Sequence, residues 1–114
     1  MKNVVLEKSF SFATRIVKLH QYLHNSKKEF VMSKQLLRSG TSIGANVTES
    51  QQAQSRADFI SKLSIALKEA EETEYWLRLL HTTNYLSDTE FQSIISDCTE
   101  IKCLLISIVK SLKS

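Results

Sequence analysis

No proline occurs anywhere in the chain, and glycine occurs only twice. Proline is the main breaker of a helix, because it lacks the N–H that an interior residue must donate. A chain of 114 residues without it can run long helices end to end, and 42% hydrophobic residues is enough to line one core. The expected fold is all-α, as a single domain over residues 1–114.

Three copies of one start signal divide the chain: Ser26-Lys27-Lys28-Glu29, Ser55-Arg56-Ala57-Asp58 and Ser87-Asp88-Thr89-Glu90. Each sets a hydroxyl three residues before a carboxylate, so that the two side chains can satisfy orphan backbone N–H groups at a helix start. The third is reinforced by Leu86 and Phe91, which are spaced for a hydrophobic staple. Three internal starts imply four helices, placed at 3–24, 27–51, 56–83 and 88–112. Apolar residues at alternating spacings of three and four agree with these bounds. They run Phe59, Leu63, Ala66, Ala70, Thr73, Leu77, Leu80 in the third helix and Phe91, Ile94, Cys98, Ile101, Leu105, Ile108, Leu112 in the fourth. The first helix carries two stripes, Val5-Phe12-Ile16-Leu19-Leu23 and Leu6-Phe10-Ala13-Val17, and is expected to be covered on two sides. Short connections make the neighbours antiparallel, giving an up-down-up-down four-helix bundle whose third helix is about 40 Å long.

The segment RSGTSIGANVTES, residues 38–50, fits this scheme least well. A Walker loop needs GxxxxGK[ST], but Gly40 and Gly44 are too close and Ala45 stands where the lysine belongs. A dinucleotide-binding turn needs a preceding strand, and none is indicated. What remains is a helix of poor intrinsic propensity, each glycine costing about 1 kcal/mol relative to alanine. Close packing must hold it, with Gly40 and Gly44 letting a neighbouring backbone approach. Ser42, Asn46 and Glu49 are expected to form a structural polar network beside that seam. Arg38, Lys62, Glu69 and Thr73 are the candidate partners of Asn46 and Glu49; otherwise Glu49 is a solvated surface acid.

Chemistry is hard to find in the sequence. A di-iron bundle needs Glu-x-x-His on two helices, and none of His20, His24 and His81 follows a glutamate at that spacing. His20 and His24 lie one turn apart, but no third zinc ligand stands out. No GxSxG elbow is present. The expectation is a protein without catalytic residues, metal, cofactor or small-molecule substrate. Cys98 and Cys103 suit neither a disulfide framework nor a CxxC site and read as reduced packing residues. No stretch approaches the ~18 apolar residues of a membrane span, and the opening MKNVVLEKSFSFATR is too charged for a signal peptide. A cytoplasmic location is expected.

The net charge of +3 is unevenly spread. Residues 1–56 hold nine Lys/Arg against three Asp/Glu, whereas residues 57–114 hold six against nine. Such asymmetry suits a polyanion or head-to-tail contact between subunits. Tyr75 and Trp76 make the third helix apolar on more than one side. One seam cannot cover them, and an oligomer interface is expected there.

Residues 36–80 carry Arg38-Ser39, a Ser-Ile-x-Ala-Asn-x-x-Glu core from Ser42 to Glu49, Phe59, Ile65-Ala66 and a glutamate-rich stretch running into Tyr75-Trp76-Leu77. This pattern resembles the four-helix bundle proteins encoded by intervening sequences of bacterial 23S ribosomal RNA genes. It departs at Gly44, where relatives often carry proline or another small residue, and at Ser50, where many have glycine. The resemblance implies a non-catalytic bundle, commonly a ring-shaped homopentamer. A relative in fold is the accessory protein of diversity-generating retroelements, whose basic barrel binds nucleic acid and a reverse transcriptase. By that analogy the partner is RNA, ribosomal or excised from it, bound through Lys27, Lys28, Lys34, Arg38 and Arg56 on or beside the second helix. The alternative is a protein–protein interaction module with no nucleic-acid role.

Overall fold

The computed structural model describes residues 3–114 as four helices: α1 (Val4–Asn25), α2 (Met32–Ser50), α3 (Arg56–Thr82) and α4 (Asp88–Lys113). Each packs on its neighbours in the sequence and α4 closes back onto α1, while the diagonal pairs α1/α3 and α2/α4 stay apart. The result is an antiparallel up-down-up-down bundle, 44 × 23 × 20 Å.

Two of the three start signals act as their chemistry requires. Ser55 accepts the Asp58 N–H at 3.0 Å, although the Asp58 carboxylate reaches back past the cap to the Gln54 N–H. Ser87 and Glu90 form a full capping box, at 3.1 and 2.8 Å. Leu86 is buried, as a staple residue should be, but the Phe91 ring stacks on His81 with centroids 4.2 Å apart. At the end of α3, Asn84 takes a left-handed φ of 71°. Its N–H bonds to His81 and that of Tyr85 to Leu80, the paired closure that asparagine tolerates at this position.

The first signal does not start a helix, which corrects the expected start at residue 27. Ser26 closes α1 through its N–H to the Tyr22 carbonyl, and Lys27 and Glu29 reach back to Tyr22 and Leu23. These orphan carbonyls claim the segment, and Lys28 then turns the chain at a left-handed φ of 54°. That conformation costs a non-glycine residue about 1 kcal/mol. Glu29 serves the following helix in another way. Its carboxylate, in a residue only 8% exposed, accepts the N–H groups of Val31 at 3.2 Å and Ser33 at 2.7 Å, while the Ser33 hydroxyl donates to the Glu29 carbonyl at 2.7 Å. Glu29→Ala leaves two N–H groups without their acceptor and is expected to lower stability by about 1–3 kcal/mol in urea denaturation, against less than about 0.5 kcal/mol for Ser26→Ala. Equal effects would contradict this assignment of the cap.

Residues 38–50 are helical throughout. Gly40 and Gly44 face α1, where an added Cβ at Gly40 would lie 2.8 Å from Cγ1 and Cγ2 of Ile16, and one at Gly44 would lie 3.2 Å from the Ser9 carbonyl oxygen. Close approach of the two helices, rather than a loop, explains the small residues. The hydroxyls are accounted for locally: Thr41, Ser42, Thr48 and Ser50 each donate to a carbonyl one turn back.

The core is one cluster drawn from all four helices, with Phe12, Ile16, Leu36, Ile43, Leu77, Leu80, Ile101 and Leu105 among its fully buried members. It follows the expected seams of α3 and α4 closely. In α1 the stripe of Val5, Phe12, Ile16 and Leu23 is buried. The second stripe is covered only in part, short of the expectation: Leu6 packs half-buried against the core and Ala13 is half-buried, but Phe10 is 74% and Val17 38% exposed. In a four-helix square both neighbours of α1 flank its core-facing side, which leaves Phe10 and Val17 on the outside.

Candidate nucleic-acid interface

Antiparallel packing sends Lys27 and Lys28 to the bundle end where α1 hands over to α2, and Lys34 stands in the first turn of α2 at that same end. All three are exposed, and among the described residues none takes part in an ion pair. Lys18 near the close of α1 and Arg78 near the close of α3 reach this end too, equally exposed and unpaired. No local signal marks these two residues. Only the alternation of helix directions brings them to Lys27.

The other two expected cations stand apart from this group. Arg38 lies alongside the acidic stretch of α3, where its guanidinium donates to Glu69 at 3.3 Å and to Glu72. Its charge is therefore compensated within the chain. Arg56 starts α3 at the opposite end of the bundle and donates to the Leu112 carbonyl at 2.8 Å. The five expected residues do not form one surface, since α2 and its loops span the length of the bundle.

The expected polar network forms only in part, with Asn46 bonded to Ser42 and Glu49 paired with Lys62, one of its expected partners. Ser42 donates to the Arg38 carbonyl at 2.6 Å and Asn46 to the Ser42 carbonyl at 2.8 Å, both within α2. Glu49 is exposed and meets Lys62 at 3.4 Å. Eleven residues of helix, about 16 Å, separate it from Arg38. The buried polar contact between α2 and α3 is made instead by Ser39 and Thr73, whose hydroxyls lie 3.0 Å apart, with Thr73 also donating to the Glu69 carbonyl. Exposed ion pairs of the Glu49–Lys62 kind contribute under about 1 kcal/mol.

Tyr75 and Trp76 have different surroundings. The Trp76 indole is half-buried against the core, and its Nε1–H donates to Glu72 at 2.9 Å. Tyr75 is 58% exposed and edge-on to the indole at 5.0 Å. Because α1 and α3 are diagonal, the outward faces bearing Phe10 and Tyr75 look in opposite directions from the bundle.

Several other polar side chains have structural partners. His20 Nδ1 sits 3.0 Å from the Ser33 carbonyl, which ties α1 to the start of α2, and His24 Nδ1 lies 3.2 Å from the Asn25 side chain. The seam between α1 and α4 is bridged by Lys8–Glu100 at 3.0 Å and Arg15–Asp97 at 2.7 Å. Burial, helped by the Glu74 carboxylate and opposed by Lys102, pushes the Cys98 thiol from 9.0 up to about 12, so it packs as an unreactive apolar group. The hydrogen bond from Lys102 to Glu74, 3.0 Å, holds that ammonium above its ordinary 10.5.

Fold and surface together define an antiparallel helical bundle with a group of unpaired cations at one end and exposed aromatic side chains, Phe10 and Tyr75, on two opposed outer sides. The chain belongs to the 23S rRNA-intervening sequence protein family, whose model matches residues 1–107. A protein of unknown function from Bacteroides thetaiotaomicron VPI-5482, described as a member of the S23 ribosomal protein family, has a crystal structure with a TM-score of 0.93 to this one. The two are 66% identical over 95% of this chain and 96% of that one. No curated protein matches the chain.

Proposed function

We propose that this chain is a non-catalytic, cytoplasmic bundle that assembles from copies of itself and binds RNA through the end carrying Lys27, Lys28 and Lys34. The supporting observation is that those lysines lie together in or beside one turn with no ion-pair partner among the described residues; Arg56, Lys68, Lys110 and Lys113 are likewise unpaired, but are spread over the middle and the far end of the bundle. Exposed unpaired cations grouped at one end attract a polyanion, and repeating the group around a ring strengthens the field without raising the charge of the monomer. The family's link to 23S ribosomal RNA makes RNA the polyanion of choice.

Assembly is supported by the opposed faces of Phe10 and Tyr75. Two unlike sides, one bearing Phe10 and Val17 and the other Tyr75 among glutamates, suit a head-to-tail contact, which closes into a ring when the rotation permits. A homopentamer, as the family resemblance implies, is the state expected. Light scattering of the purified chain, with labelled structured RNA added at low salt, tests both parts. The expected result is a particle of about five chains that binds RNA, and that falls to monomers with either Phe10→Asp or Tyr75→Asp. A monomer that ignores RNA at low salt would refute the proposal, and its exposed Phe10 and Tyr75 would then favour a docking module for a different protein.

A further inference from the structure

We propose that the turn joining α1 to α2 is a stacking platform for unpaired RNA bases, built around Phe30. The proposal rests on the RNA-binding reading above and adds to it the kind of RNA recognised. Phe30 is 52% exposed and the adjoining Val31 74% exposed, with Phe30 two residues after Lys28. A large aromatic left in water beside unpaired cations is the combination that single-stranded nucleic acid uses, bases stacking on the ring while ammonium groups meet the phosphates. Aromatics in acidic surroundings, such as Tyr75 and Trp76 beside Glu72 and Glu74, do not offer it.

The turn is braced by hydrogen bonds from several side chains. The Glu29 carboxylate is buried beneath it and holds the Val31 and Ser33 N–H groups, the Ser33 hydroxyl holds the Glu29 carbonyl, and His20 holds the Ser33 carbonyl. Together these bonds maintain the left-handed Lys28 and keep Phe30 directed outward. His24 and the Phe30 ring make a T-shaped contact, with centroids 4.8 Å apart at 69°, while about half of the Phe30 surface stays open. Lys27 lies over the ring of Tyr22, near the end of α1, at 5.9 Å, so a second aromatic and a cation stand beside the turn. Asp88 and Glu90 stand near Lys27 and Glu29 lies beneath the turn, three carboxylates against Lys18, Lys27, Lys28, Lys34 and Arg78, so this end stays net positive. Charge complementarity therefore favours a polyanion with free bases, and duplex RNA, whose bases are stacked inside, can use only the lysines.

Fluorescence anisotropy with a labelled oligouridine and with an RNA duplex of the same length tests this on the full chain. Phe30→Ala is expected to weaken the single strand by about 5- to 100-fold while changing duplex affinity by less than about twofold. Phe30→Tyr, which keeps a stacking face, should retain single-strand binding. Unchanged single-strand affinity in Phe30→Ala, or an equal loss on both RNAs, overturns the platform and leaves RNA binding intact. A wild type that binds neither RNA removes the underlying reading as well. Phe30-dependent binding to phosphatidylserine vesicles without RNA binding would reassign the turn to a membrane surface, and dissociation of the oligomer by Phe30→Ala would reassign it to a subunit contact. Either result overturns the proposal.

Discussion

Gly40→Val is expected to destabilise the fold by about 3 kcal/mol, a large share of the 5–15 kcal/mol that holds a typical domain together. A Cβ at this position already comes within 2.8 Å of two carbons of Ile16 and 3.2 Å of its Cβ. Ile16 has no exposed surface and branches at the carbon that would be struck, so no rotamer change clears the space. The two helices must separate, and the loss spreads along the α1–α2 seam. Gly40→Ala removes about 1 kcal/mol of helix penalty yet meets the same Cβ clash, so a net loss of about 1–2 kcal/mol is expected. Thermal unfolding should show the valine variant melting about 10 °C lower. Adding Ile16→Ala to Gly40→Ala should recover part of the clash, appearing as a coupling of about 1 kcal/mol in a double-mutant cycle. An alanine variant that gains stability would mean that α1 and α2 are not pressed together here. Gly44→Ala should be milder, because the nearest atom lies at 3.2 Å.

The second large effect concerns salt. Lys18, Lys27, Lys28, Lys34 and Arg78 give the basic end five cations, enough to neutralise about five phosphates. Each releases bound counterions, so fourfold higher salt is expected to weaken RNA binding by about two to three decades. Changing Lys27, Lys28 and Lys34 together to glutamate should weaken binding by about 100-fold or more at low salt and flatten the salt dependence by about two to three phosphates' worth. Lys110 and Lys113 close α4 at the far end of the bundle and serve as the control, since changing both to glutamate alters net charge without touching the basic end. Salt-insensitive binding in the wild type would rule out phosphate contacts. Equal losses from the two sets of substitutions would mean that overall charge, not the basic end, attracts the RNA. If instead the triple variant loses its oligomeric state and keeps RNA, those lysines serve a subunit contact.

Several outcomes run against the most direct reading of the residues, each for a stated cause. The Ser26-to-Glu29 spacing is that of a capping box, but a spacing cannot say whether the N–H groups around it are free. Here the last carbonyls of α1 take them, and Glu29 caps forward. Arg38 reads as a surface cation until α3 lies beside it and supplies Glu69 and Glu72. Trp76 reads as surplus apolar surface, yet half of it is covered and its N–H is satisfied by Glu72. Phe30 carries no periodic signal at all, being in a turn.

The identity of the helices, the seams of α3 and α4, the starts at Ser55 and Ser87 and the helical state of residues 38–50 are all legible along the chain. Each depends on residues within a turn or two of one another, and the 3.6-residue period converts such spacing directly into a face. Which face meets which, and which charges meet at an end, are long-range matters. Lys18, Lys34 and Arg78 come to one end of the bundle only because successive helices reverse direction, and Phe10 and Tyr75 oppose each other only because α1 and α3 are diagonal. Periodicity defines what a helix must bury, but the neighbour that buries it, or leaves it open, is chosen by packing of the whole bundle.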